Sequence, residues 1–329
     1  MRYILNTQTI LSDASITSLG RGVFSNINVG VVDLSTTSIT RIEAEAFAGN
    51  TTLSRIFLPT TLTYIGNNAF KGCTRLSAVE FKKAATEDRD LFIGSNAFES
   101  TSIQTIDLSK LRTTFGDYVF LSCSNLSYAD VGIVQKMGKY TFAAAQRLMK
   151  VEYDEGSKDL GTYTFAYVTI NSTTYYHKTL REVVVPSSID TIGTALFAGC
   201  TTLSANKISF ENIKEIGEYA FYACSNILSL ELPSIEKLGY AAFAETGLQS
   251  ITLNADMTSG TLSIGELAFY ECGNLTSVII FDLKPRTFVS NKFYLSSCNS
   301  ILIKWGRRFP LKAQIYEIRE QAAYLYWKI

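Results

Sequence analysis

A short phrase returns twelve times along this chain, and its period limits the fold more than any other feature of the sequence. It reads Ile65-Gly66-Asn67-Asn68-Ala69-Phe70-Lys71-Gly72-Cys73-Thr74-Arg75-Leu76, and it is equally plain from Ile192 to Leu203 and from Ile216 to Ile227. Its aromatic anchor stands at Phe24, Phe47, Phe70, Phe98, Phe120, Phe142, Phe165, Phe197, Phe221, Phe243, Phe269 and, with irregular flanks, Phe293. Most gaps between anchors are 22–24 residues, and the longer ones mark inserted loops. Self-similarity at this period predicts a solenoid, in which each coil buries its apolar face only against its neighbours.

Within one repeat, Leu53-Ser54-Arg55-Ile56-Phe57-Leu58-Pro59 and Leu76-Ser77-Ala78-Val79-Glu80-Phe81 run apolar-x-x-apolar-x-apolar. That spacing predicts a short strand whose alternate residues point inward and stack on the next coil. Pro59, Pro186 and Pro233 follow three such strands, where a missing N–H does the ladder little harm. The Ile-Gly pair then turns the chain. Gly66, Gly94, Gly193, Gly217, Gly239 and Gly265 are expected either to take positive φ or to let another backbone come close. The Ala-Phe segment is short and predicts a single helical or 3-10 turn with its Phe inward.

The phrase Ile-Gly-x-x-Ala-Phe-x-x-Cys-x-x-Leu resembles the BspA-like class of leucine-rich repeats, over roughly residues 16–303. The resemblance implies an α/β leucine-rich repeat solenoid, right-handed, with short parallel strands on one face and short helical or 3-10 turns opposite. It also implies non-enzymatic binding, often by surface proteins that attach to host or matrix proteins, and it supplies no catalytic residues. About twelve coils are expected over 1–304, with 305–329 as a C-terminal cap or assembly segment.

Other classes of function are disfavoured. Thirty Lys plus Arg balance thirty Asp plus Glu, so no net field draws nucleic acid or an anionic membrane. Met1 to Ser12 lacks the continuous apolar stretch of a signal peptide, and no run is long enough to cross a membrane, so the chain reads as soluble. The resemblance points to a cell-surface or extracellular location; without an export signal, a virion or fibre component is the alternative. Gly-rich phosphate loops, His-Glu-x-x-His and Gly-x-Ser-x-Gly are absent, and only one histidine exists. No enzyme, cofactor or metal is expected.

The cysteines mimic a disulfide framework until aligned. Cys73, Cys123, Cys200, Cys224, Cys272 and Cys298 each stand three residues before Leu76, Leu126, Leu203, Ile227, Leu275 and Ile301, one position of the repeat. They are expected to form a buried column of small side chains. Three places on the surface compete for a partner. Counting from the repeat leucine, the fifth strand position holds Glu80, Asp107, Asp130 and Glu152 in successive coils, with Glu231 later. Parallel stacking sets such carboxylates on the order of 5 Å apart, a stripe for a basic partner or, less simply, a divalent cation. The insertion 169–178 carries Tyr175, Tyr176 and His177, residues suited to a contact surface or to a tolerated excursion. A charged excursion at 82–90 reads as a solvated loop.

The last 25 residues leave the period. Ile315, Ile318, Ala322, Leu325 and Ile329 make one stripe at helical spacing, so 311–329 is expected to be helical. It either caps the last coil or, through Tyr316, Tyr324, Tyr326 and Trp327, joins other subunits of an assembly.

Overall fold

In a computed structural model, which describes residues 15–25, 27–83, 89–254, 262–281, 301–303 and 314–316, the apolar-x-apolar stretches are strands. The chain divides into two compact units. The first comprises Met1–Asp159 with Val168–Tyr175, the second Leu160–Tyr167 with Tyr176–Ile329. Each is a stack of parallel coils, about eleven anchors in all lying among the described residues.

The first unit carries one parallel sheet of six strands: Ser18–Leu19, Arg41–Ile42, Tyr64–Ile65, Asp90–Ile93, Arg112–Phe115 and Ile133–Lys136. Its other strand ladders are Val31–Asp33, Arg55–Leu58 and Ala78–Phe81, then Thr105–Asp107, Tyr128–Asp130 and Lys150–Glu152, again parallel. Inward residues alternate with outward ones as the period of two requires: Ile56 and Leu58 are buried while Arg55 is exposed. In the second unit, Thr191–Ile192, Glu215–Ile216, Lys237–Leu238 and Ser263–Ile264 form one parallel ladder. Ser229–Leu232, Ser250–Asn254 and Ser277–Phe281 form another.

The anchors fill the core. Ten of them, Phe47 to Phe269, are at most 2% exposed, and their rings stack coil upon coil. Centroids of Phe47 and Phe70 lie 5.0 Å apart, Phe70 and Phe98 5.1 Å, and in the second unit Phe221 and Phe243 5.2 Å, with planes within 8°. Such contacts contribute about 1 kcal/mol each beyond the burial of ring area.

The Ala-Phe segments are not helical, contrary to expectation, and the described residues contain no α-helix; the one 3-10 helix, Ala205–Lys207, lies elsewhere in its coil. Residues two before and two after the anchor have positive φ instead: Glu45 at 60° and Gly49 at 70° around Phe47, Asn68 at 57° and Gly72 at 72° around Phe70. This alternation aims every second N–H at the next coil. Glu45, Phe47 and Gly49 donate to the carbonyls of Asn67, Ala69 and Lys71 at 3.0, 2.7 and 2.8 Å. The intervening Ala46 and Ala48 close tight turns onto Glu43 and Glu45. A helical turn would satisfy its donors along its own axis and leave the stack unpaired, so the inter-coil ladder wins over local helix.

Of the two roles open to the Ile-Gly glycines, close approach is the one used. A Cβ on Gly66 would stand 2.5 Å from the Ala44 nitrogen, and one on Gly239 2.5 Å from the Glu218 nitrogen. Neither position has a positive φ.

The expected helix over 311–329 is corrected where the structure describes it. Gln314–Tyr316 is a strand, antiparallel to Ile301–Ile303, with Ile301 opposite Tyr316 and Ile303 opposite Gln314. An open strand edge presents unpaired N–H and C=O groups, and pairing them outweighs the apolar stripe that suggested helix. The rest of 305–329, including Tyr324, Tyr326 and Trp327, lies outside the described residues, as do Phe293, Cys298, the 304/305 boundary and the side chain of Tyr316.

Candidate functional site

The five described cysteines are buried thiols in no disulfide, and in each unit they occupy one position of the coil. Beyond filling space, each thiol donates to the anchor carbonyl one coil back: Cys123 to Phe98 at 3.0 Å, Cys224 to Phe197 at 3.1 Å, Cys272 to Phe243 at 3.0 Å. Burial pushes the Cys224 thiol up to about 12 and the Cys123 thiol to about 11, so neither is a thiolate nucleophile at neutral pH. This column is structural.

The strand ladders make Asp107, Asp130 and Glu152 direct register neighbours, whereas Glu80 lies in a separate ladder opposite Phe57 and Glu231 in the second unit opposite Thr252. The column is nonetheless largely neutralised. Arg55 lies 3.6 Å from Glu80, Lys83 pairs with Asp107, and Lys150 stands 2.6 Å from Glu152, which also accepts the Tyr128 hydroxyl. Burial alone would raise the Asp107 carboxyl, but its bonds to Lys83 and Ser109 hold it below the usual range. Lys150 and Tyr128 do the same for Glu152. Asp130 differs. It is 9% exposed, has no basic partner among the described residues, and accepts only the Gly132 N–H, at 3.1 Å. Burial, then the charges of Asp154, Asp107 and Glu152, push it up to about 6. The described residues bring together no group of His, Cys, Asp or Glu able to hold a metal ion.

The insertion is an ordered hairpin. Val168–Ile170 pairs with Thr173–Tyr175, and Asn171 and Ser172, at φ 48° and 64°, make the two-residue turn that the strand twist favours. Tyr175 is half-buried. His177 does not face outward with the tyrosines: it is 1% exposed, meets the Phe165 ring edge-on at 6.4 Å, and bridges to Cys200. The chain returns from the hairpin to the stack at that residue, which draws the imidazole into the core and removes it from any contact surface.

Tyr176 leads to a surface that no motif marks. In the second unit its ring packs 5.3 Å from Tyr167, which lies 6.5 Å from Tyr222; Tyr222 meets Tyr219 at 6.0 Å, and Tyr219 meets Tyr240 at 5.3 Å. Tyr167, Tyr176 and Tyr219 remain 36–39% exposed. The floor under the first pair is Gly199, where a Cβ would stand 2.8 Å from the Tyr176 ring. The Tyr222 hydroxyl donates to Glu245 at 2.6 Å, which raises its own pKa. The signal that could have found this group is an offset: where the residue two before, one after or two after an inward anchor is large, as at Tyr163, Tyr167, Tyr219, Tyr222, Glu245, Tyr270 and Glu271, it is half-buried or exposed. In the turn segments 161–167, 193–201, 217–225, 239–247 and 265–273 such offsets supply most of six tyrosines and four glutamates, with no lysine or arginine.

With coils, columns and surfaces in place, the family is plain. The model of the BspA type leucine rich repeat region matches residues 3–92, 88–171 and 168–301, and the chain belongs to that family. Among solved structures it is similar to the pneumococcal vaccine antigen PcpA, at 18% identity over 80% of this chain and 73% of that one, TM-score 0.37. A leucine-rich repeat protein from Eubacterium ventriosum is 19% identical over 77% and 67%, TM-score 0.43. A leucine rich cell surface protein from Faecalibacterium prausnitzii is 19% identical over 81% and 77%, TM-score 0.36. No curated protein matches the chain. No helix among the described residues is long and apolar enough to cross a membrane.

Proposed function

We propose that this chain is a non-enzymatic protein-recognition module of the adhesion type, working at a cell surface or outside the cell, and that the tyrosine cluster of its second unit carries the contact. The supporting observation is the run of touching rings from Tyr176 through Tyr167, Tyr222 and Tyr219 to Tyr240 on a rigid stack of turns. Tyrosines give large contact area at low entropic cost and keep a polar tip, which is why they concentrate in interfaces. Held on a backbone ladder, they are already ordered before a partner arrives, which lowers the cost of association. The self-neutralised acidic column of the first unit is the weaker surface, since a basic partner would have to displace Lys83, Lys150 and Arg55.

Binding of the full chain to a panel of purified matrix and host surface proteins, by surface plasmon resonance, tests this. The triple variant Tyr167→Ser, Tyr176→Ser, Tyr219→Ser keeps the fold, because these rings are outside the anchor stack, and is expected to lose at least about tenfold in affinity. A partner retained equally by both proteins, or none bound by the wild type, removes the proposal.

A further inference from the structure

From this surface we infer the chemistry of the partner: the tyrosine–glutamate turn face of the second unit is a docking site for an arginine-bearing segment of another protein. This rests on the recognition reading above and adds what is recognised.

The chain itself shows how it seats a guanidinium. In the first unit, Arg41 lies over the Tyr64 ring with its Cζ 3.8 Å from the centroid, while Glu43 clamps its Nε at 2.7 Å. Arg55 repeats the theme more loosely, 5.8 Å over Phe57 and 3.6 Å from Glu80. A ring face below and a carboxylate at the side satisfy a planar cation that stacks well and is weakly hydrated. The turn face of the second unit has the rings and the carboxylates without the cation. Glu218 and Glu245 are exposed, and neither has a basic partner among the described residues. Two basic side chains of the same unit, Lys237 and Lys214, pair with Glu215 and Glu236, and Lys178, Arg181 and Lys207 lie outside its turn segments.

Geometry favours arginine over lysine and over an apolar chain. The rings are tilted by 34°, 46°, 66° and 79° from one another, so faces and edges both line the surface and no continuous apolar groove forms. A guanidinium can stack on one ring and fork onto Glu245 or Glu218; an ammonium can do only the second as a point charge. The turn segments of the first unit lack this one-signed character, since Arg21, Lys71 and Lys139 lie among them.

The test uses the full chain and fluorescent peptides of repeating Gly-Arg-Ser, Gly-Lys-Ser, Gly-Phe-Ser and Gly-Glu-Ser, read by anisotropy at low and physiological salt. The Arg peptide is expected to bind most tightly and the Lys peptide several-fold more weakly. The variant Glu218→Gln, Glu245→Gln should weaken the Arg peptide by about tenfold while near-isosteric side chains leave the fold intact. Tyr222→Phe keeps the ring and frees Glu245, and is expected to leave binding equal or stronger. The control Glu80→Gln, Asp107→Asn, in the first unit, should change it less than about twofold. If Gly-Phe-Ser binds best and is lost with Tyr167→Ser, Tyr176→Ser, Tyr219→Ser, the surface recognises proteins but the guanidinium assignment falls. If the Arg peptide binds no better than the Glu peptide, or ignores the Glu218 and Glu245 variant, the assignment falls as well. If no peptide binds in any arm, it falls together with the recognition reading.

Discussion

The thiol of Cys73 donates to the carbonyl of Phe47, one coil back, at 3.1 Å, while the Phe47 N–H reaches forward to Ala69 at 2.7 Å. Both bonds tie Phe47 to the one following coil, and the cysteine serves as a small buried donor. Burial pushes the Cys73 thiol up to about 12. Thiol-specific reagents should therefore leave the five described cysteines unmodified in the native protein and label them on unfolding, as mass spectrometry would record. Cys224→Ala should cost about 1 kcal/mol, for a lost thiol contact and the small void it leaves, since the Phe197 carbonyl keeps the Cys200 N–H at 2.9 Å. Rapid native labelling at any of these positions would contradict the column.

Two glycines at different positions of the repeat should respond differently to a methyl group. Gly239→Ala drives a Cβ into the backbone of Glu218 and Gly217 at 2.5 Å, where nothing can yield cheaply, and should destabilise by about 3 kcal/mol or prevent folding. Gly72→Ala meets nothing closer than 3.8 Å and bears only the strain of φ +72°, about 1 kcal/mol. Chemical denaturation of both variants gives the order directly.

The converse holds where alanine already bears that strain. Ala223 has φ 57° and is half-buried, so Ala223→Gly should raise stability by up to about 1 kcal/mol, against the extra entropy of the unfolded chain. Ala223→Val should lower it, since a β-branched residue tolerates positive φ worst. Calorimetric Tm values separate the two.

Asp130 makes stability depend on pH. Its folded pKa, about 6, lies above the ordinary aspartate range, so the folded state holds its proton more tightly than the unfolded one. Its contribution is therefore most favourable below about pH 4 and is lost as pH rises to about 6, then stays constant. Asp130→Asn can still accept the Gly132 N–H, and should stabilise by about 1 kcal/mol at pH 7 after allowing for solvent screening, with no gain at pH 4. Asp107 and Glu152, whose pKa values are lowered, act in the opposite sense: their contribution is lost as pH falls through the acid range. Denaturation midpoints of wild type and variant between pH 4 and 7 trace the difference.

The coil was legible because its parts are local and repeat. A period of 22–24 residues, Phe anchors inward, strands alternating at Ile56 and Leu58 and cysteines at one register all follow from spacing along the chain. The acidic column was legible for the same reason: Asp107, Asp130 and Glu152 fall in register once coils stack in parallel. Its electrostatics were not. Lys83 reaches Asp107 and Arg55 reaches Glu80 from neighbouring coils, and a charge count along one strand cannot see either ion pair. Tyr176 was marked by its insertion, but its companions Tyr167, the pair Tyr219 and Tyr222, and Tyr240 come from separate coils and meet across the stack.

By itself the sequence determined the repeat, the inward columns and the family, because side-chain periodicity dictates which residues a coil must bury. Tertiary structure decided the turns, the chain's last described strand and the surface chemistry. The Ala-Phe segments forgo a helical turn because their N–H groups pair with the next coil, and Gln314–Tyr316 is a strand because Ile301–Ile303 offers it an edge. Hydrogen bonds and charges between coils join residues distant in the chain, so they are settled only once the coils lie side by side.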